Sequence, residues 1–207
     1  MFEEKALLEL RASVVGKLSP KRARHTLAVE EMAARLGALY APDKIPMLRA
    51  AALLHDLTKE YKTDYQVMLS ARYGLSVTKA DLLSPKTFHA RTAAAVIPDE
   101  YPAFAEEELL TAVRYHTTGR EGMSLSEQII YLADYIDMSR TFEDCVRLRE
   151  YFFDAHPERM SEGERLSHLR KTLILSFDMT VRALLEDGAI ISEDTILARN
   201  WLIREEA

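Results

Sequence analysis

One short stretch constrains this chain more than any other: Ala50 to Glu60, which reads Ala-Ala-Ala-Leu-Leu-His-Asp-Leu-Thr-Lys-Glu. Its small and branched apolar residues predict the end of a buried helix, and that end delivers His55 and Asp56 side by side. An imidazole and a carboxylate are costly to bury unless something compensates their polarity. A metal ion does so directly, because it binds a neutral imidazole nitrogen and an ionised oxygen together. Taken alone, the pair would also suit an ordinary capped helix end.

The rest of the chain predicts helices joined by short turns. Seven Gly and seven Pro among 207 residues are few for a sheet-rich fold, and the apolar residues recur at helical spacing. The length suits one domain. We therefore expect a single all-α bundle over residues 1–207, with a metal-binding core at about 18–140 and C-terminal helices at 141–207 that complete it. The predicted helices are 1–17, 21–40, 44–56, 63–73, 78–83, 87–97, 106–116, 126–138, 147–155, 164–187 and 194–204. Asp43 is expected to cap the third helix, Pro98 to close the sixth, and Ser19-Pro20 to start the second.

Composition narrows the class of protein. Apolar residues at 48% and charged residues at 29% describe an ordinary soluble globular protein, and a net charge of −6 argues against a protein that coats nucleic acid. Cys145 is the single cysteine, which excludes an intramolecular disulfide and a cysteine-rich zinc site. The chain shows no signal peptide and no apolar run near the roughly 18 residues that span a membrane. We expect a cytoplasmic protein that binds neither nucleic acid nor membrane.

Four further side chains of metal-binding chemistry fall on other predicted helices. His25 lies on the apolar stripe of helix 21–40, and His116 shares the apolar face of helix 106–116. His89 lies near a helix start, where the macrodipole disfavours a protonated ring. Asp134 interrupts a strongly apolar helix, where a carboxylate is seldom buried unpaired. The candidate metal ligands are His25, His55, Asp56, His89, His116 and Asp134.

Other residues of similar chemistry are expected to have no role in such a site. His156 and His168 lie in polar C-terminal surroundings and are expected at the surface, as is Asp137, one position off the apolar face of its helix. Three tyrosines could stack on a base, but core packing is their expected use: Tyr115, Tyr131 and Tyr135.

The ligand order His…His-Asp…His…His…Asp resembles that of the HD-domain metallophosphohydrolases, in the variant that carries two metal ions. Longer segments look like the YqeK family, whose members are symmetrical bis(5′-nucleosyl)-tetraphosphatases that cut diadenosine tetraphosphate into two ADP molecules. The similar segments are Lys21–Thr26, Ala51–Lys59, Arg114–Gly119 and Ile129–Asp137, and the similarity extends from about Arg11 to Leu185. One departure is the run Asp137-Met138-Ser139-Arg140, which lacks the proline common in that family.

The resemblance implies the fold, the reaction and the site. The fold would be a single HD-domain helical bundle, and a metal-activated hydroxide would attack the tetraphosphate. His25, His55, Asp56 and Asp134 would hold one metal and His89 and His116 the other, with Asp56 bridging. Iron is the expected metal, and manganese, cobalt and zinc also suit such ligands.

Lys59 follows Asp56 by three residues and can reach a phosphate oxygen as a point charge, so it joins Asp56 as a candidate catalytic residue. The candidate substrate-binding residues are Arg22, Lys59, Arg91, Thr117, Thr118, Gly119 and Arg140. The partner is thus expected to be a nucleotide, and a homodimer is considered for the assembly.

Three alternatives stay open at this stage. An HD-domain phosphatase acting on another nucleotide, such as a deoxynucleoside mono- or triphosphate, would use the same ligands. A nucleotide-binding HD module without turnover would keep the fold, although degenerate domains usually lose ligands. A helical bundle with structural histidines would bind no metal and would need another partner for Asp134.

Overall fold

The computed structural model describes residues 2–207 as eleven α-helices joined by short turns, and that part of the chain contains no β-strand. The helices are α1 (Glu4–Lys17), α2 (Pro20–Tyr40), α3 (Ile45–Leu54), α4 (Thr63–Arg72), α5 (Lys79–Leu83), α6 (Phe88–Glu100), α7 (Glu107–Tyr115), α8 (Leu125–Ile136), α9 (Glu143–Asp154), α10 (Glu162–Glu186) and α11 (Glu193–Glu206). The all-α prediction is confirmed. None of the described helices is both long and apolar enough to cross a membrane.

Two predicted helix ends were wrong for identifiable reasons. Pro98 does not close α6, because it lies in the last turn, where its missing N–H removes a single helical bond and the helix continues to Glu100. Asp43 does not cap α3, because it lies inside a 3-10 turn, Pro42–Lys44, that precedes the helix. The cap at the start of α2 is confirmed.

Hydroxyl side chains fix the start of several helices. Ser19 accepts a hydrogen bond from the backbone N–H of Arg22 at the start of α2. Ser19 in turn donates its own N–H and hydroxyl to the Glu60 carboxylate, at 2.9 and 2.5 Å. This contact ties the start of α2 to the turn that follows α3. Capping boxes begin three further helices: Thr78 with Asp81, Ser124 with Glu127, and Ser161 with Glu164.

The core lies where α2, α3, α7 and α8 pack against one another. Every residue from Ala50 to Leu54 in α3 is buried, as expected for a helix that is apolar on all sides. α2 approaches α3 closely at Gly37, where an added Cβ would lie 2.9 Å from Leu48 Cδ1. α6 packs on α7, α1 on α3, and α10 on both α9 and α11. The helix ends that carry the candidate ligands therefore sit on a tightly packed base.

Candidate metal centre

All six predicted ligands come together from five helices. His25 lies in the second turn of α2, His55 and Asp56 directly follow α3, and His89 is the second residue of α6. His116 directly follows α7, and Asp134 lies in the last turn of α8. The four histidines and Asp56 are buried, and the Asp134 side chain is 18% exposed. Helical spacing was sufficient to place them on inward faces or at inward ends.

Asp56 lies between two pairs of histidines, and each of its oxygens faces one pair. Asp56 Oδ2 is 3.6 Å from His25 Nε2 and 3.5 Å from His55 Nε2. Asp56 Oδ1 is 3.2 Å from His89 Nε2 and 3.7 Å from His116 Nε2. A carboxylate in this position can serve two ions at once, one through each oxygen.

Asp134 belongs to the first of these groups. Its Oδ1 atom is 3.0 Å from His25 Nε2 and 3.7 Å from His55 Nε2. One ligand atom each from His25, His55 and Asp134 lies within 4.8 Å of the other two, and the same holds for His55, Asp56 and His116. The His55 ring thus borders both groups. The division otherwise follows the one implied by the family resemblance.

Three of the four imidazoles are oriented by the same contact, a backbone carbonyl three residues earlier. The pairs are His55 Nδ1 with Ala52 O at 2.6 Å, His89 Nδ1 with Lys86 O at 2.8 Å, and His116 Nδ1 with Val113 O at 2.7 Å. A carbonyl oxygen can only accept, so each Nδ1 carries the hydrogen. In a neutral ring the Nε2 lone pair then points into the centre.

His25 is oriented differently, by a side chain. Its Nδ1 atom lies 3.2 Å from Asp137 Oδ2, and the Asp137 side chain is fully buried. The expectation that Asp137 lies at the surface was wrong. α8 ends at Ile136, and the extended backbone of Asp137 (ψ 155°) turns its side chain towards α2 instead of continuing the helical register. Asp137 Oδ1 accepts hydrogen bonds from the Ser139 N–H, at 2.8 Å, and from the Ser139 hydroxyl.

An arginine that sequence reasoning missed holds the loop after α8. Arg149, on α9, donates to the backbone oxygens of Ile136 at 2.8 Å, Asp137 at 2.6 Å and Arg140 at 2.8 Å. Three carbonyls gathered by one guanidinium fix the path of a loop that lacks the family's proline. The sequence does not show that α9 packs beside this loop, so it contains no signal for the role of Arg149.

The donor set fits metal ions. His89 Nε2 and His116 Nε2 lie 3.0 Å apart, although neither carries the ring hydrogen when the rings are neutral. His25 Nε2 and His55 Nε2 are buried and make no hydrogen bond within residues 2–207. The four Nε2 atoms and the two carboxylates converge on one space, and a cation among them would offset the repulsion between their lone pairs and negative charges. Imidazole and carboxylate together suit first-row transition metals.

The two carboxylates are ionised. Burial alone would raise the pKa of Asp56, but His55 and His116 outweigh it and hold that pKa well below its usual range. Burial likewise opposes ionisation of Asp134, and the Arg140 guanidinium outweighs it, so the pKa of Asp134 also lies well below its usual range. Both side chains are therefore available as anionic ligands at neutral pH.

The imidazoles differ in their basicity. Burial lowers the pKa of His89 to about 4, with Lys59 and His116 adding to the shift, and burial also lowers the pKa of His116. Burial acts the same way on His25, but the carboxylates of Asp134 and Asp137 outweigh it and raise the pKa of His25 to about 9. A metal bound at His25 must therefore displace a proton.

Three predicted substrate-binding cations border the centre on both sides of Asp56. Arg22 Nη1 forms an ion pair with Asp56 Oδ2, and Arg140 Nη2 pairs with Asp134 Oδ1. Lys59 Nζ lies on the other side, 3.0 Å from His89 Nε2 and 4.0 Å from Asp56 Oδ1. Burial lowers the pKa of Lys59, against the attraction of the nearby carboxylates.

The polar turn after His116 is divided between the centre and the protein interior. Thr117 Oγ1 lies 3.2 Å from His89 Nε2 and borders the centre. The Thr118 hydroxyl instead donates to the Gly119 carbonyl. Gly119 is buried, donates its N–H to the Tyr115 carbonyl at 2.8 Å, and so has no free N–H for a substrate. Gly119, a candidate substrate-binding residue, therefore offers no N–H to a substrate, because the turn completes the end of α7.

Gly119 has a packing role instead. It adopts a φ of +65°, and an added Cβ would lie 2.6 Å from Phe177 Cζ and 2.9 Å from Ala198 Cβ. α10 and α11 thus press directly on the turn beside His116. Arg91 is also engaged elsewhere, since it pairs with Asp81 at 3.2 Å and donates to the Ser76 carbonyl. Arg91 and Thr118 line a separate, smaller cavity of about 130 Å³.

His168 was also placed wrongly by sequence reasoning. It is buried on α10, and its Nε2 atom donates to the Phe152 carbonyl of α9 at 3.0 Å. His156, in contrast, is exposed as expected.

The fold and this cluster define the class of protein, because the chain belongs to the HD domain family. The model of that family matches residues 22–139, more than half of the chain. A crystal structure from Clostridium acetobutylicum, described as a predicted HD superfamily hydrolase involved in NAD metabolism, superposes with a TM-score of 0.82 at 28% identity and 99% coverage of both chains. Membership in the family implies binding of divalent metal.

Curated relatives narrow the family further. The chain is 30% identical over 195 residues to the symmetrical bis(5′-nucleosyl)-tetraphosphatase of Bacillus subtilis. The aligned region covers 94% of this chain and 96% of that relative. It is 34% identical over 140 residues to the protein of the same name in Staphylococcus aureus, covering 67% and 70%. Within the HD domain family, the chain belongs with the symmetrical bis(5′-nucleosyl)-tetraphosphatases. The resemblance stated from the sequence is confirmed.

Proposed function

We propose that this protein is a di-metal phosphohydrolase that cleaves dinucleoside tetraphosphates symmetrically, converting diadenosine tetraphosphate into two ADP molecules. The observation that carries the proposal is the position of Asp56, with one oxygen facing His25 and His55 and the other facing His89 and His116. The relatives named for this activity match most of the chain. Iron as the metal, a cytoplasmic location and a homodimer stay predictions from the sequence.

The six ligands divide into two sets in this proposal. His25, His55, Asp134 and Asp56 Oδ2 would hold one ion, and His89, His116 and Asp56 Oδ1 the other. When bound, such ions act as Lewis acids on phosphate oxygens and lower the pKa of a water from about 15.7 to about 7. The carbonyl contacts on three rings, and Asp137 on the fourth, keep each Nε2 directed at its ion without reorganisation.

The cations of the chain match a substrate with phosphates on both sides of the bond to be cut. Arg22 and Arg140 lie on the His25 side of Asp56, and Lys59 lies on the His89 side. In a symmetrical cleavage, negative charge is present on the attacked phosphate and develops on the departing one. Fixed cations on either side would stabilise both, which is the largest contribution that a preorganised site makes.

Metal analysis and product analysis of the purified protein test this proposal together. We expect about two metal ions per chain and ADP as the sole nucleotide product from diadenosine tetraphosphate. AMP together with ATP would mean that attack falls on another phosphorus and would refute the symmetrical cut. Bound metal without cleavage would favour the alternative of a phosphatase for another nucleotide.

Two substitutions separate the roles of the residues. Asp56→Ala should lose metal and activity together, because one carboxylate serves both ions; near-normal turnover would refute the di-metal arrangement. Lys59→Ala should keep its full metal content while kcat falls or KM rises. His156→Asn, at an exposed residue with a φ of 55° that Asn tolerates, is the matched control.

A further inference from the structure

A cavity of about 710 Å³ borders the candidate metal centre on the His25 side. α2 lines it with Lys21, Arg22, Arg24 and His25, and the loop after α8 lines it with residues 139–142. Its volume lies within the range of about 300–1,000 Å³ typical of small-molecule sites. The cavity is therefore large enough for one nucleoside arm of a substrate whose phosphates reach the centre.

The charge of this cavity is one-sided. Four of its lining residues are cationic, and no carboxylate of the described chain lines it, although the chain carries a net charge of −6. Arg22 and Arg140 are paired with Asp56 and Asp134. The other two cations, Lys21 and Arg24, are exposed and form no ion pair with any residue of 2–207. Unpaired cations beside paired ones favour a bound polyanion.

Phe142 adds an aromatic surface to the same cavity. It is 71% exposed, the largest value among the described large apolar residues that reach the surface. Its backbone is fixed, because it is the N-cap residue of α9 and its carbonyl accepts the Val146 N–H at 3.0 Å. Folding gains little from a phenyl ring left in water. A nucleobase, which has a flat apolar face, would cover it by stacking.

We propose that Phe142 is the stacking platform for one nucleobase of the substrate, with Lys21 and Arg24 holding phosphates of the same arm. This inference rests on the proposed function and specifies how one arm of the tetraphosphate is bound. Stacking on an aromatic ring accepts any base, because every base has a flat π-face.

Equilibrium binding of ADP to the metal-loaded protein, compared with binding of inorganic pyrophosphate, tests the stacking directly. Phe142→Ala should weaken ADP binding about 5- to 100-fold, the range expected for loss of one base–aromatic stack. Pyrophosphate has no base, so its affinity should not change. Phe142→Trp should keep ADP affinity at or above the wild-type value. Leu185→Ala, which removes a 66% exposed apolar side chain on α10, is the matched control.

The outcomes distinguish this inference from the function it rests on. Equal ADP affinity in wild type, Phe142→Ala and Leu185→Ala would overturn the stacking platform even if the tetraphosphate is cleaved normally. Loss of ADP and pyrophosphate affinity to the same extent would also overturn it, because the ring would then support the loop and not the base. ADP binding that depends on Phe142, in a protein that fails to cleave the tetraphosphate, would refute the function and keep the base site.

Discussion

Replacing Asp137 with Asn should weaken metal binding at the His25 side of the centre. The buried Asp137 carboxylate uses one oxygen for the Ser139 N–H and hydroxyl, while the other faces His25 Nδ1 at 3.2 Å and Arg140 Nε at 3.4 Å. Asn has the same shape but a single oxygen. If that oxygen stays with Ser139, the amide N–H₂ faces Nδ1 and favours the tautomer with its hydrogen on Nε2. If the amide flips, its N–H₂ opposes the donors of Ser139.

The first orientation disfavours the unprotonated Nε2 that a metal requires, and the second loses the hydrogen bonds to Ser139 that hold the side chain beside His25. Loss of such an outer-shell partner typically lowers metal affinity about 10- to 100-fold, which corresponds to about 1.4 to 2.7 kcal/mol at 25 °C. The assay is a titration of the metal-free protein against a competing chelator, which resolves one site from the other. The site that includes His25 should weaken, and the site that includes His89 should change little.

The pH of this measurement matters. Asp137 also raises the pKa of His25, which reaches about 9, so its loss relieves some proton competition at lower pH. Titration above that pH isolates the effect of orientation. Equal affinity of wild type and Asp137→Asn at both sites under these conditions would refute the reasoning. His156→Asn again provides the control.

The other predictions concern stability. Gly119→Ala should lower the free energy of unfolding by about 2–4 kcal/mol, since it combines a positive φ with collisions against α10 and α11; urea denaturation measures this. Gly122→Ala, with a φ of +70° and open space around its Cβ, should cost only about 1 kcal/mol. Glu60→Gln should weaken the tie to Ser19 by less than about 1 kcal/mol at neutral pH. Ser19 lowers the pKa of Glu60, so the wild-type advantage is full above about pH 4.5 and disappears as pH falls through the folded-state pKa. His168→Ala should cost about 2–4 kcal/mol by leaving a carbonyl unpaired and a cavity behind.

Each stability prediction has an outcome that would contradict it. Equal losses of unfolding free energy for Gly119→Ala and Gly122→Ala would mean that α10 and α11 move aside for the added Cβ without cost. A wild-type advantage over Glu60→Gln that does not decrease on acidification would mean that the carboxylate charge is not what holds Ser19. An unchanged free energy of unfolding for His168→Ala would contradict its burial and support the surface position expected from the sequence.

The ligand cluster could be predicted because its chemistry coincides with helical periodicity. His25 lies on an apolar stripe and Asp134 interrupts an apolar helix, so the apolar pattern around each residue predicts a position near the core. His55 needs no tertiary knowledge beyond the burial of the apolar segment before it. For such residues, spacing along the sequence predicts which side of the helix carries the side chain.

The residues that were misplaced lie where this periodicity stops. Asp137 falls one residue beyond the end of α8, and a single extended ψ carries it into the interior. Gly119 donates its N–H within its own turn, which the composition of the turn does not show. His168 has polar neighbours in sequence, and only the packing of α9 against α10 buries it. Helix ends and helix pairs are set by tertiary contacts that one sequence does not display.

Arg149 links the candidate metal centre to the C-terminal helices of the chain. The segment that matches the HD domain model ends at residue 139, yet the guanidinium that bonds the carbonyls of the following loop comes from Arg149 on α9. A fragment cut at that boundary would keep all six candidate ligands and lose the Arg149 contacts that hold the backbone at Asp137, whose side chain faces His25. If an ion binds at His25, its affinity should therefore fall when α9 is removed. The C-terminal helices therefore belong to the same structural unit as the candidate metal centre.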